Sequence, residues 1–127
     1  PVLCKRAITY PKNRYKILTN GKEIRSYCHI SDAISFIKLL VEKKYYNETQ
    51  QNIFNICSDD YNTIEEIARK IISISGKKIN LTKTNQPGLI KSQFCSNSRI
   101  KNITGWKPKI SLDIGLKSVY YDIQSKL

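Results

Sequence analysis

Ala33, Phe36, Ile37, Leu40 and Val41 recur at the spacing that lines one face of a helix. Ser31 and Asp32, just ahead of them, are residue types that cap a helix N-terminus. A stronger signal follows in Ile64, Ile67, Ala68, Ile71 and Ile72. They are preceded by the capping box Thr63-x-x-Glu66 and closed by Gly76, a residue suited to a helix stop. A third helix starts at Ser111 and buries Leu112, Leu116, Val119, Tyr120 and Ile123, with Asp113 in the first turn where the helix dipole favours negative charge. Shorter helices are predicted over Val2 to Ile8 and around Ile100 and Ile103, up to Gly105.

Strand periodicity marks the stretches between. Tyr15 to Leu18 reads as a strand that ends at the turn Asn20-Gly21 and opens a hairpin. Ile24, Ser26, Cys28 and Ile30 alternate with Arg25, Tyr27 and His29, which predicts a strand over 24–30 with one face packed and a polar face open to a ligand. "NIFNIC" (52–57) has the length and apolar content of a buried strand, and "KINLT" (78–82) that of a short one. The polar run "EKKYYNETQQ" (42–51) and the stretch through Pro87-Gly88 read as loops. The whole predicts a mixed α/β arrangement of about four short strands and four main helices. Strands 24–30 and 53–57 are written to extend a larger sheet, which leaves an exposed sheet edge or apolar patch on this chain alone.

Composition narrows the class without changing this picture. At 127 residues, 40% hydrophobic and 25% charged, the chain has globular rather than disordered character. Its longest apolar runs fall far short of the roughly 20 residues of a membrane span, so a cytoplasmic protein without membrane partners is expected. The net charge of +12 is suited to phosphates, but the basic residues are scattered, without a run of five and without interleaved aromatic residues. A free-standing basic module for nucleic acid is therefore the alternative reading rather than the main one. Four cysteines, at 4, 28, 57 and 95, form no C-x-x-C pair, and the single histidine cannot complete a zinc set, so they read as small apolar residues and no metal is expected. The chain contains no methionine and opens on Pro1, which predicts a fragment of a longer chain.

Candidate chemistry is sparse. No G-x-G-x-x-G, P-loop or G-x-S-x-G occurs, and the five glycines are too widely spaced to cradle a phosphate. His29 reads as a hydrogen-bonded structural residue, and Asp59-Asp60 as carboxylates ahead of a helix rather than an acid–base pair. Trp106 with Pro108 reads as packing at a helix end. No catalytic residue is assigned.

Three segments carry a family resemblance. "GKEIRSYCHISDA" resembles the R-[DS]-[FY]-x-[HY]-[VI]-x-D strand-to-helix unit of the extended short-chain dehydrogenases. "IFNICSDDYNTIEEIARKI" resembles that family's strand followed by a Ser/Thr-capped helix, and "NSRIKNITGWKPKISLDIGLKSV" is similar to its closing L-G-W-x-P-x-x-s-L-x-x-G-L signature. The three occur in the family's order and cover roughly Tyr15 to the end. The implied family is the nucleotide-sugar epimerases and dehydratases, whose members join an NAD(P)-binding Rossmann half to a smaller substrate-binding part.

The resemblance implies that residues 1–127 are a single C-terminal substrate-binding region, α/β in class, with short strands, amphipathic helices and the Rossmann half missing. None of the eight tyrosines is followed four residues later by lysine, so the family's Tyr-x-x-x-Lys pair has no counterpart. NAD or NADP is expected in the complete enzyme and none on this chain alone, which is expected to be inactive. By the same resemblance the partner is a nucleotide sugar, with no nucleic acid, and the parent is a homodimer.

The site residues implied are Arg25 as the diphosphate anchor, Tyr27 beside it, and Lys16, Ile17 and Leu18 along the nucleobase. Lys91 stands where the family's second phosphate-binding cation usually lies, although lysine is a point charge rather than a fork. His29 and Asp32 are implied to serve the strand-to-helix junction. Ser96, Arg99 and Cys57 depart from the family's aspartate, lysine and glycine.

Overall fold

The computed structural model describes residues 1–43, 53–88 and 92–127. In chain order its elements are α1 (Val2–Ile8), β1 (Lys16–Ile17), β2 (Ile24–Ser26), α2 (Ile30–Lys43), β3 (Tyr61–Thr63), α3 (Ile64–Ser75), β4 (Thr82–Lys83), α4 (Ser98–Thr104) and α5 (Leu112–Gln124). They are mixed α/β with short strands, as expected. The chain divides into two compact units. The first comprises Pro1–Arg25, Asn62–Gln93 and Asp113–Leu127, and the second Ser26–Tyr61 and Phe94–Leu112.

The first unit is built on α3. Its capping box is complete: the Thr63 hydroxyl accepts from the Glu66 N–H at 3.1 Å, and the Glu66 carboxylate accepts from the Thr63 N–H at 2.7 Å. These bonds hold the Glu66 carboxyl below its ordinary range. Gly76 closes the helix in the left-handed conformation, at φ +64°. Ile67, Ala68 and Ile71 are buried in a core with Cys4 and Ala7 of α1, Tyr15, Ile17 and Tyr120 of α5. The Tyr15 hydroxyl donates to the Ala68 carbonyl at 3.1 Å, and burial pushes its pKa up.

β1 pairs with β4 in parallel, Lys16 opposite Thr82 and Ile17 opposite Lys83. The hairpin expected at Asn20-Gly21 is therefore absent: β1 takes a partner from after α3, and β2 pairs with β3. Asn20 donates its N–H to Gln86, and the Gly21 carbonyl accepts from Glu65, so the turn's backbone groups are used up by residues distant in sequence.

The second unit packs Phe36 against Phe54 and Trp106, at ring-centroid distances of 5.6 and 5.2 Å, with Cys57 and Ile100 also buried. Trp106 packs as expected and donates its indole N–H to Ser35 at 2.9 Å. Buried Asn97 donates to the Cys57 carbonyl at 3.0 Å.

Two expectations are corrected here. The strand over 24–30 ends at Ser26, because helix α2 begins at Ile30 and the His29 carbonyl already accepts from Asp32 and Ala33. Residues 53–57 are irregular, with no ladder partner among the described residues; Asn52 and most of the loop at 42–51 lie outside them.

Neither Ser31 nor Asp32 caps α2. The His29 ring nitrogen Nδ1 accepts from the Ser31 N–H at 3.3 Å. Asp32 is buried and reaches across to the W-x-P loop, accepting from Lys109 N–H at 3.1 Å and Ile110 N–H at 3.0 Å. The helix also buries less than its periodicity suggests. Phe36 is covered, but Ile37 is 53% and Val41 73% exposed, and with Ile30 and Ile34 they form an exposed apolar stripe. Among the described residues no helix is long and apolar enough to cross a membrane.

Replacing Asp32 by alanine strands two backbone donors at a buried site. Loss of two charge-assisted hydrogen bonds is expected to lower stability by about 2–4 kcal/mol, read as a drop in the midpoint of urea unfolding. A change below 0.5 kcal/mol would show that water replaces the carboxylate.

Candidate functional site

The first turn of any helix leaves N–H groups without intrahelical partners. In α3 two of these are taken by the turn after β1: Ile64 donates to the Glu23 carbonyl and Glu65 to the Gly21 carbonyl, each at 3.0 Å. Gly21 adopts φ +77°, and a Cβ there would lie 3.1 Å from the Glu65 Cβ, so the close approach requires glycine. Residues 19–25 are thereby pinned to the helix end. Ile24 is held from the other side, its N–H donating to the Ser92 hydroxyl at 3.2 Å and its carbonyl accepting from Gln93 at 3.1 Å.

This framing leaves a cleft of about 520 Å³ within the first unit, a size typical of small-molecule sites. Its basic lining is Arg6, Lys16 and Arg25, and its apolar lining includes Leu3, Ile17, Leu18, Ile64 and Pro87. Arg6 projects from α1 and donates to the Lys16 carbonyl at 2.5 Å, which ties that helix to β1. Arg25 is half-buried and donates one guanidinium N–H to the Ile24 carbonyl at 2.8 Å. Glu23 is the one carboxylate among the lining residues. Three cations against one buried carboxylate make the cleft a place for an anion with an apolar body.

The structure thus brings together four of the residues singled out from the sequence, Lys16, Ile17, Leu18 and Arg25. Tyr27 belongs to the second unit and is 42% exposed. Lys91 lies outside the described residues. Arg6, Thr19, Glu23 and Gly88 also line the cleft and were missed. The signal for Arg6 lay in α1, where Leu3 and Arg6 follow the i, i+3 spacing beside the buried pair Cys4 and Ala7. The other three carry no local pattern.

The remaining candidates are structural. Asp59 pairs with Lys101. Cys57 is buried and donates its thiol to the Cys95 carbonyl at 2.9 Å; burial first, and then that bond, push its pKa up, the opposite of what a nucleophile needs. Among the described residues no cluster of three metal-ligating side chains occurs.

No family model matches the sequence. The chain is similar to the GDP-mannose 3,5-epimerase of Arabidopsis thaliana, 24% identical over 124 residues, which is 98% of this chain and 31% of that protein. It therefore spans about a third of the length of that relative. Among solved structures it is similar to UDP-glucose 4-epimerase of Thermotoga maritima bound to UDP-glucose, with a TM-score of 0.82 at 20% identity, covering 98% of this chain and 38% of that one. The dTDP-glucose 4,6-dehydratase of Bacillus anthracis, in complex with NAD, matches with a TM-score of 0.77 at 20% identity over 99% of this chain and 39% of its own. The fold is that of the C-terminal part of the extended short-chain epimerases and dehydratases.

One contact in the cleft is unusually close. A Cβ on Gly88 would fall 2.0 Å from Glu23 Oε1 and 2.8 Å from its Cδ. Gly88→Ala is expected to destabilise by about 1–3 kcal/mol, the usual cost of overpacking, as read by chemical denaturation. Adding Glu23→Ala should recover most of that loss, and simple additivity of the two changes would refute the clash.

Proposed function

We propose that this chain is the nucleotide-sugar-binding part of an NAD(P)-dependent sugar-nucleotide enzyme of the 4-epimerase, 4,6-dehydratase or decarboxylase type. The observation that carries the reading is the convergence of Arg25, Lys16, Ile17 and Leu18, positions where the sequence resemblance puts the nucleotide, on one cleft that Arg6 also lines. Arg25 serves the diphosphate through a guanidinium fork that matches phosphate oxygens, with Lys16 and Arg6 adding charge. Ile17 and Leu18 supply the apolar wall for the base.

The residues present do not fit the nicotinamide cofactor. The glycines with positive φ, Gly21, Gly76 and Gly105, stand at three separate turns rather than in one cradle. Redox chemistry belongs to the cofactor and to the two-thirds of the relatives' length that this chain does not span, and no reaction step is assigned to its side chains. Their part is to bind and orient. The similarity to nucleotide-sugar enzymes supports this reading. No observation favours the nucleic-acid module, for which dispersed lysines without stacking aromatic residues are a poor design.

The Arg25→Ala variant tests it. Loss of a charge-assisted contact worth on the order of 1.5–3 kcal/mol is expected to weaken GDP-mannose or UDP-glucose binding roughly ten-fold to more than hundred-fold by calorimetry, with thermal stability preserved. Unchanged affinity removes Arg25 from the site, and collapse of the fold assigns it a structural role. In the same titrations the native chain is expected to give no heat with NAD or NADP; micromolar binding of either would overturn the division of labour proposed here.

A further inference from the structure

The net charge is not shared evenly between the two units. The first holds 15 of the 22 basic residues and five of the ten acidic ones, so it carries +10 of the chain's +12. Its five carboxylates are also confined. Glu65 and Glu66 stand at the start of α3 and Glu23 at the cleft, while Asp113 and Asp122 belong to α5, where they pair with Lys70 and Lys126. No Asp or Glu occurs in 1–22 or in 67–93.

Positive charge is therefore unopposed at the far end of α3. Lys77, just past the Gly76 stop, is exposed and donates its ammonium to the carbonyls of Ala7 and Tyr10, at 3.2 and 3.3 Å, and to that of Ile8. This ties the end of α3 to the end of α1. Because β1 and β4 run parallel, with Lys16 opposite Thr82, the segments that lead into them, 12–15 and 78–81, enter from the same side. Lys12, Arg14 and Lys78 are exposed there, and exposed Lys5 lies in the last turn of α1. None of these side chains is in an ion pair among the described residues. The cleft opens at the other end of α3, beside Ile64, and twelve residues of helix, about 18 Å, separate the two.

The composition of this surface decides what it meets. Protein–protein interfaces are depleted in lysine and are built on buried aromatic and arginine anchors, whereas here four lysines and one arginine stand in the open. No exposed aromatic side chain lies in 9–14 or 76–80 on which nucleic-acid bases could stack. An array of anionic lipid headgroups requires neither feature, since each lysine or arginine near it contributes without a fixed contact geometry. Contact of that kind needs no membrane-spanning helix. We propose that the end of the first unit formed by Lys5, Lys12, Arg14, Lys77 and Lys78 docks on an anionic bilayer surface, independently of any ligand in the cleft.

The test sediments the 127-residue chain with vesicles of phosphatidylcholine alone or of phosphatidylcholine mixed with phosphatidylserine. Binding is expected to the mixed vesicles only, and it should weaken steeply as salt is added. The variant Lys12→Gln/Arg14→Gln/Lys78→Gln should bind on the order of a hundred-fold more weakly, roughly five-fold for each charge removed. The variant Lys38→Gln/Lys107→Gln/Lys109→Gln takes the same charge from exposed positions of the second unit. It should stay within about two-fold of the native chain. If the first variant fails to fold, Lys78→Gln alone, with an expected loss of roughly five-fold, supplies the readout.

No binding to the mixed vesicles, equal binding to neutral ones, or an equal loss in both triple variants would overturn the proposal. So would displacement of the chain from the vesicles by double-stranded DNA at equal phosphate concentration, the mark of a general polyanion surface. None of the substituted residues lines the cleft, so these outcomes leave the nucleotide reading as it stands.

Discussion

The unsatisfied N–H groups at the start of α3 are the constraint on which the first unit is organised. A helix end cannot be buried with its donors unpaired, and here three separate devices meet that demand: the Thr63 side chain and the carbonyls of Gly21 and Glu23. Because two of the three belong to the turn after β1, satisfying the helix also fixes the segment from which Glu23 and Arg25 project. Local helix chemistry thus positions the cleft, and the left-handed glycine at position 21 permits the close approach.

The second unit solves a similar problem with side chains. Its described residues contribute only the ends of two short strands, so few of its backbone groups can be paired by a sheet. Asp32 instead takes two N–H groups of the Lys109–Ile110 loop, Asn97 holds the Cys57 carbonyl, and the Ser26 hydroxyl donates to the Ser58 carbonyl at 2.7 Å. Buried polar side chains are usually an energetic liability. Here each is bonded to main chain, and together they hold irregular segments in place around Phe36 and Trp106.

What could be read from the sequence follows the range of the forces involved. α3 was legible to the residue because its cap, apolar stripe and glycine stop act within a dozen positions. α5 was nearly so. β1 and β4 were located approximately, but their pairing was not, since nothing in a two-residue strand names a partner some 66 positions away. The α2 periodicity found an apolar stripe correctly and misjudged its burial, because periodicity reports composition of a face and not what covers it. Arg25, Lys16, Ile17 and Leu18 came from a family resemblance carried by motifs. Thr19, Glu23 and Gly88 join them only through tertiary packing, and Glu23 looked like any polar turn residue until its neighbours were known.

The order in which the chain visits its two units has a consequence for its synthesis. Each unit is assembled from separated segments, so the path crosses between them four times, after residues 25, 61, 93 and 112. Nascent chains generally fold domain by domain as each is completed, but no contiguous stretch here completes either unit early. On the ribosome, residues 26–61 must wait for 94–112, and the segment bearing Lys16 and Arg25 must wait for α3 and then α5. Within this chain, buried Cys4 and Ala7 of α1 and Phe36 of α2 therefore gain their packing partners only once α3 and the segment bearing Trp106 have been made.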